Sequence, residues 1–306
     1  MRKIVLFILL VVTYHTFGQT AEEYYKSGVL KKDMNNFSGA ISDFTKAIEL
    51  NPKDSYSYNK RGIIKAKIED FQGAIDDFTK AIELNPKDKN MDAYYNRGFQ
   101  LYEQQDFKGA LADFSKAIEL NQNDSVAYIE RGLAKHELKD YYGAIWDYTK
   151  ALEINPNSEE AYNRRGLSKS KLKDIEGAII DCTKAIELNP TNPTNYYNRA
   201  LNKENVEDFN GAIADYTKAI EYEPDWIYSY INRGFIKFYF KDNNGAILDF
   251  NKAIELDPEN GDSYFLRGLA KLKLNQKKNA CADFFKAKEL GNEKAVELIN
   301  ENCTKK

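Results

Sequence analysis

Apolar residues recur three and four positions apart along most of the chain, the spacing of a single helix face, and short polar breaks interrupt them. The pattern returns in blocks of thirty-four residues, phased by strings such as Gly39-Ala40-Ile41 and Lys46-Ala47-Ile48-Glu49-Leu50-Asn51-Pro52. Eight blocks result, 21–54, 55–88, 91–124, 125–158, 159–192, 193–226, 227–260 and 261–294, with Lys89 and Asn90 the only insertion. Counting places 1 to 34 within a block, places 1–14 and roughly 18–31 carry the helical period, so each block is expected to fold as a helical hairpin.

Residues that recur at one place share a structural role. Place 8 is Gly in seven blocks (Gly28, Gly62, Gly98, Gly132, Gly166, Gly234, Gly268) and place 20 is Ala in all eight, small residues that let two antiparallel helices approach closely. Place 4 is Tyr in every block and place 24 is aromatic in seven, Cys182 being the exception; these side chains fill the space around the small pair. Pro at place 32 in six blocks (Pro52, Pro86, Pro156, Pro190, Pro224, Pro258) stops the second helix. The order aromatic, Gly, Ala, aromatic, Ala, Pro resembles the tetratricopeptide repeat family, whose unit is a thirty-four-residue helix-turn-helix. Departures are Gln122 and Asn292 for Pro, Ala200 for Gly, and Lys277 near the last turn. The fold expected is all-α: a right-handed superhelical solenoid of eight hairpins with a C-terminal capping helix and tail over 295–306, in which Ala295, Leu298 and Ile299 cover the last hairpin.

Arg stands at place 7 in seven blocks and Asp at place 23 in all eight. Places summing to about thirty lie level in an antiparallel hairpin, which matches Arg61 with Asp77, Arg97 with Asp113, Arg131 with Asp147, Arg165 with Asp181, Arg199 with Asp215, Arg233 with Asp249 and Arg267 with Asp283. A ladder of Arg for a ligand is one reading; a structural ion pair inside each hairpin is the other, favoured because the Asp recurs with the Arg. Ser27 replaces the Arg in the first block, where Lys31 is the alternative partner of Asp43. Asp at place 23 with Lys at 26, and that Lys with Glu at 29, form i, i+3 pairs on the outer helix.

The resemblance implies a protein-interaction role carried by the first helices, which in this family line a concave groove at places 2, 5, 6, 9, 12 and 13. Place 9 is large and apolar in every block and reads as packing. Aromatic residues that break the repeat gather in the third block (Tyr95, Phe99, Tyr102) and the seventh (Tyr228, Phe235, Phe238, Tyr239), and with His136, Asn163 and Tyr197 they are the candidate peptide-binding residues. The carboxylate clamp of some relatives is absent: no block has Lys at place 5 or Asn at place 9. The partner expected is a peptide or protein segment; the alternative is a structural or assembly factor of the cell envelope acting through its convex face or ends.

The first eighteen residues differ from the rest. Arg2 and Lys3 precede nine apolar residues, Ile4 to Val12, and a more polar stretch ends at Gly18, the pattern of an export signal cleaved after Gly18. Nine residues are too short for a spanning helix, so no stable membrane insertion is expected, and the product would be periplasmic or secreted. Cleavage would leave 42 basic against 47 acidic residues, which argues against nucleic acid as the main partner. It would also remove His15, leaving His136 as the only histidine. No phosphate loop, nucleophile elbow, His-Glu-x-x-His or Cys-x-x-Cys occurs, so neither enzyme activity nor a metal or cofactor is expected. In an exported chain Cys281 and Cys303 are expected to form a disulfide, while Cys182 at an aromatic place is a small core hydrophobe.

Overall fold

The computed structural model describes residues 19–85 and 91–303. The export signal 1–18, Pro86, the Lys89-Asn90 insertion and the tail after Cys303 lie outside the described residues.

Among the described residues there are seventeen α-helices, arranged as hairpins: α1 (Ala21–Asp33) with α2 (Phe37–Leu50), α3 (Ser55–Lys67) with α4 (Phe71–Leu84), α5 (Met91–Glu103) with α6 (Phe107–Leu120), α7 (Ser125–Glu137) with α8 (Tyr141–Ile154), α9 (Glu159–Lys171) with α10 (Ile175–Leu188), α11 (Pro193–Asn205) with α12 (Phe209–Tyr222), α13 (Ile227–Tyr239) with α14 (Asn243–Leu256) and α15 (Gly261–Lys273) with α16 (Lys277–Glu289). A last helix, α17 (Lys294–Asn302), follows. The chain is an all-α repeat solenoid whose helices form two compact units, residues 1–122 and 123–306. In each unit a first helix packs on its own second helix, and that second helix packs on the next first helix.

First helices occupy places 1–13 and second helices 17–30, α16 ending one place sooner, and the turn chemistry explains why the second starts one place earlier than the apolar period indicates. Place 15 is left-handed in all eight hairpins although none is Gly, from Asn35 (φ 57) to Asn275 (φ 58). That residue reverses the chain, and place 16 then caps the second helix: Asp70 Oδ1 accepts the Gly73 amide at 3.1 Å, Asp140 Oδ1 that of Gly143 at 3.0 Å. A Cβ on Gly73 would meet that carboxylate at 2.3 Å, so Gly at place 19 is what lets the capping side chain lie over the helix end. In the last hairpin Asn279 replaces Gly, and Gln276 makes no side-chain cap. Second helices end at place 31 in extended conformation, as at Asn51 (ψ 84) before Pro52.

The core of a hairpin is smaller than expected from place 20 alone. A Cβ at Gly28 would sit 2.9 Å from the Phe44 ring, and one at Gly132 2.7 Å from Tyr148, so the glycine at place 8 accommodates the aromatic at place 24. Where Cys182 replaces the aromatic, a Cβ on Gly166 would meet the Ala178 carbonyl and Cys182 Sγ at 3.2 Å each and Asp181 Cβ at 3.4 Å, and no ring. The place 4 tyrosines pack on second helices, Tyr128 against Trp146 and Tyr196 against Tyr222 of their own hairpins, and Tyr94 beside Ala81 and Ile82 of the preceding one. At the C-terminal end α17 buries Ala295 and Ile299 against Ala280, Phe284 and Ala287, with Leu298 partly buried beside them. Cys281 and Cys303 are joined there, with an S–S distance of 2.06 Å.

Candidate binding face

The charged residues inside the hairpins are fully engaged with one another. Arg61 donates from Nε to Asp77 Oδ2 at 2.8 Å and from Nη2 to Oδ1 at 2.7 Å, and the same fork joins Arg97 to Asp113, Arg165 to Asp181, Arg199 to Asp215, Arg233 to Asp249 and Arg267 to Asp283. Arg131 reaches Asp147 Oδ1 at 2.6 Å. The buried Asp is met a second time by Lys at place 11, for example Lys65 on Asp77 at 2.9 Å and Lys169 on Asp181 at 2.8 Å. In the first hairpin Lys31 reaches Asp43 at 2.6 Å and Ser27 donates its hydroxyl to the same oxygen. Asp113 has only Arg97, because Leu101 stands at place 11. The Lys at place 26 pairs with Glu at 29 rather than with the Asp at 23, as in Lys46 with Glu49 at 2.7 Å, since Arg and Lys already hold the Asp oxygens.

One recurring residue that pattern reading missed completes the set. Arg Nη1 crosses to the preceding hairpin and donates to the hydroxyl at place 25, Arg61 to Thr45 at 3.0 Å, Arg97 to Thr79 at 3.0 Å, Arg199 to Thr183 at 3.1 Å, or to Asn251 from Arg267 at 2.8 Å. Each of these guanidinium groups thus fastens its own hairpin and the junction behind it. The matching place in the last block is the exposed Phe285. The signal was present in the recurrence of Thr sixteen residues before most of these arginines.

The candidate recognition residues separate into packed and open groups. In the first unit Tyr95 lies against Phe114 at 5.8 Å between centroids, Tyr102 lies against Phe107 at 5.3 Å, and Phe99 is 39% exposed. A depression of about 400 Å³ in the same unit is lined by Tyr25 and Tyr56 with Glu22 and Asp54. In the second unit His136 bridges helices: its Nδ1 is 2.8 Å from Ser168 Oγ on α9, and its ring packs on Tyr141. Burial holds its pKa below the ordinary imidazole value. Asn163 is buried, donating to Asn195 Oδ1 at 2.5 Å and accepting from Asn198 Nδ2 at 3.2 Å, so its amide serves the junction of α9 and α11. Tyr197 is flanked by Trp226 at 4.6 Å and Tyr216 at 5.6 Å. Phe238 turns inward onto Ala246, Phe250 and Ala270.

What remains open is a stripe on α13. Tyr228, Phe235 and Tyr239 follow at i, i+7 and i+11, one face of a helix, and are 56%, 48% and 65% exposed. Tyr239 extends onto Phe209 at 5.7 Å, and Phe209 onto the exposed Phe240 at 5.2 Å. Neither Phe209, the first residue of α12, nor Phe240, which follows α13, is among the expected residues, because neither stands at a groove place. Aromatics are also exposed on a second helix: Tyr142 and Trp146 on α8, the latter with Arg131, Lys135 and Lys150 within 6 Å of its ring. Among the described residues no group of three or more His, Cys, Asp or Glu is placed to hold a metal ion, and no helix is long and apolar enough to cross a membrane.

The tetratricopeptide repeat profile matches residues 21–54, 55–88, 92–124, 125–158, 159–192, 193–225 and 227–260. The chain belongs to the tetratricopeptide repeat family. Its eighth hairpin, α15 with α16, carries the same Tyr264, Arg267, Gly268 and Asp283. No curated protein matches the sequence significantly. Among solved structures, YrrB, described as a tetratricopeptide protein with an unusual peptide-binding site, is 25% identical, with 57% of this chain and 89% of YrrB covered at a TM-score of 0.53. The MamA protein is 26% identical over 55% of this chain and 91% of its own, at 0.52. A tetratricopeptide protein from Parabacteroides merdae shares the fold more extensively, 81% of this chain and 96% of its own at 0.61, with 23% identity. Tetratricopeptide arrays are protein–protein interaction scaffolds, generally non-catalytic, and this chain carries such an array.

Proposed function

We propose that this tetratricopeptide chain is a non-enzymatic scaffold that binds a peptide or protein segment on the first-helix face of its second unit, along α13. The observation that carries the reading is the open stripe of Tyr228, Phe235 and Tyr239, three large aromatics on one face of α13 that each leave about half or more of their surface to solvent. The peptide-binding description of YrrB supports the same use of an array like this one. Export before binding, with cleavage after Gly18, is supported by the order of Arg2, Lys3 and the apolar run, and by the Cys281–Cys303 bridge, which persists in oxidising compartments.

The test is capture from a cell-envelope extract with the full chain, repeated with Tyr228, Phe235 and Tyr239 changed to Ala. Loss of the captured protein, with an unchanged circular dichroism spectrum, is the expected result. A second reading, assembly through the other face, is favoured by the exposed Tyr142 and Trp146 on α8; under it, Ala at those two residues abolishes capture and the α13 triple variant does not.

A further inference from the structure

All eight place 23 carboxylates are met by a Lys or Arg, from Asp43 with Lys31 to Asp283 with Arg267. Glu204 on α11 is a half-buried acid of the second unit outside that series. It stands at place 12, where other blocks carry residues as different as Lys32, Ala66, Ser170 and Leu272, so the scaffold does not require it. Tyr216 donates its hydroxyl to Oε1. Asn232 on α13 donates to that hydroxyl at 3.3 Å and to the Tyr197 hydroxyl at 3.2 Å, so one side chain from each of α11, α12 and α13 joins the network that ends on this carboxylate. No Lys, Arg or His of the described residues makes an ion pair with it. No hydrogen bond to its second oxygen is made by the described residues.

Leaving water costs a carboxylate several kcal/mol unless a cation or donors repay it, and one tyrosine hydroxyl repays only part. Burial accordingly raises the pKa of Glu204, the hydroxyl of Tyr216 opposing it. The position of Asn232 links this carboxylate to the open stripe: Tyr228, Phe235 and Tyr239 lie at i−4, i+3 and i+7 from it, the same face of α13. An ammonium or guanidinium beside such a carboxylate would also meet aromatic faces, which attract cations.

We propose that Glu204 receives a Lys or Arg side chain of the bound peptide, with the peptide's neighbouring apolar residue seated on Phe235 and Tyr228. This rests on the peptide-binding reading of α13 and names the chemistry of the segment it takes: a basic residue next to an apolar one.

A phage-displayed random dodecapeptide library panned on the full chain supplies the probe, and fluorescence anisotropy of the enriched, labelled peptide supplies the affinities. Glu204→Gln keeps the acceptor for Tyr216 and removes the charge. The enriched peptides are expected to carry Lys or Arg beside an apolar residue, and Glu204→Gln to weaken them about tenfold or more. Replacing the peptide's basic residue by Ala should weaken binding to the wild type equally and to Glu204→Gln hardly at all; this arm needs no further protein variant. Peptides that bind Glu204→Gln as tightly as the wild type, yet are lost on Phe235→Ala, overturn the role of Glu204 and leave the binding face standing. Peptides indifferent to both substitutions overturn both.

Discussion

Hairpins two and three offer a controlled comparison within the first unit. Asp77 and Asp113 are equally buried, with side chains 5% and 6% exposed, and each takes the same two-pronged bond from its Arg. Each Arg also reaches a Thr hydroxyl at 3.0 Å on the preceding helix. The difference is Lys65, 2.9 Å from Asp77, against Leu101 at the equivalent place in hairpin three. Removing one member of a buried ion pair costs about 3–5 kcal/mol, because the charge left behind has no partner. Arg97→Leu strands Asp113 completely and is expected to cost about 4 kcal/mol by that rule; Arg61→Leu leaves Asp77 with Lys65 and is expected to cost about 2. The lost Thr bond, about 1 kcal/mol, is common to both and cancels. Arg61 also covers the Tyr58 ring at 5.5 Å, which adds to its own cost and so narrows the gap rather than creating it. Urea unfolding followed by far-ultraviolet circular dichroism measures both variants. Adding Asp113→Leu to Arg97→Leu should restore most of the loss, since a buried pair replaced by apolar residues is often close to neutral. Equal losses for the two single variants, or a double variant no better than Arg97→Leu, would refute the reasoning.

Other consequences can be checked independently. Gly132→Ala should cost about 1–3 kcal/mol by overpacking against the Tyr148 ring, and Gly166→Ala clearly less, because its Cβ would meet Cys182 Sγ at 3.2 Å instead of a ring; paired urea titrations compare them. His136 has a folded pKa below its unfolded value, so its contribution is present above about pH 6.5 and is lost as pH falls through the folded pKa; His136→Gln should flatten the stability profile there. Glu204 behaves oppositely: its raised pKa means that stability is present below the unfolded value of 4.5 and lost as pH rises through the folded one. Glu204→Gln is therefore expected to melt higher than the wild type at neutral pH, an advantage that vanishes in mild acid. Reducing Cys281–Cys303, which closes a loop of 22 residues, should destabilise the last hairpin and α17 by about 3 kcal/mol in the chain-entropy account, read by amide exchange with and without reductant.

The period of the apolar residues and the recurrence of Gly, Ala and Pro made the hairpins legible, because each repeated residue answers a local constraint that is the same in every block. The second helix begins at place 17, earlier than periodicity indicates, since the left-handed place 15 is filled by Asn, Glu, Gln or Lys and carries no glycine to mark it. Recognition residues were harder to read, because helix-face arithmetic does not say which neighbour occupies a side chain. Asn163 and Tyr197 stand at groove places, yet both are consumed by contacts with α11, α12 and the segment leading into α13. Glu204 went unnoticed for the opposite reason: among 47 acidic residues nothing in the sequence distinguishes one that lacks a cation, and only the packing of α11, α12 and α13 does so.

The central claim is that the open face of α13 is where this scaffold holds its partner. Titration of a library-selected peptide against three proteins tests it most directly: the wild type, Tyr228→Ala/Phe235→Ala, and Tyr142→Ala/Trp146→Ala. The account predicts an affinity loss of about tenfold or more in the α13 variant and wild-type affinity in the α8 variant. Full affinity in the α13 variant with loss in the α8 variant would contradict it.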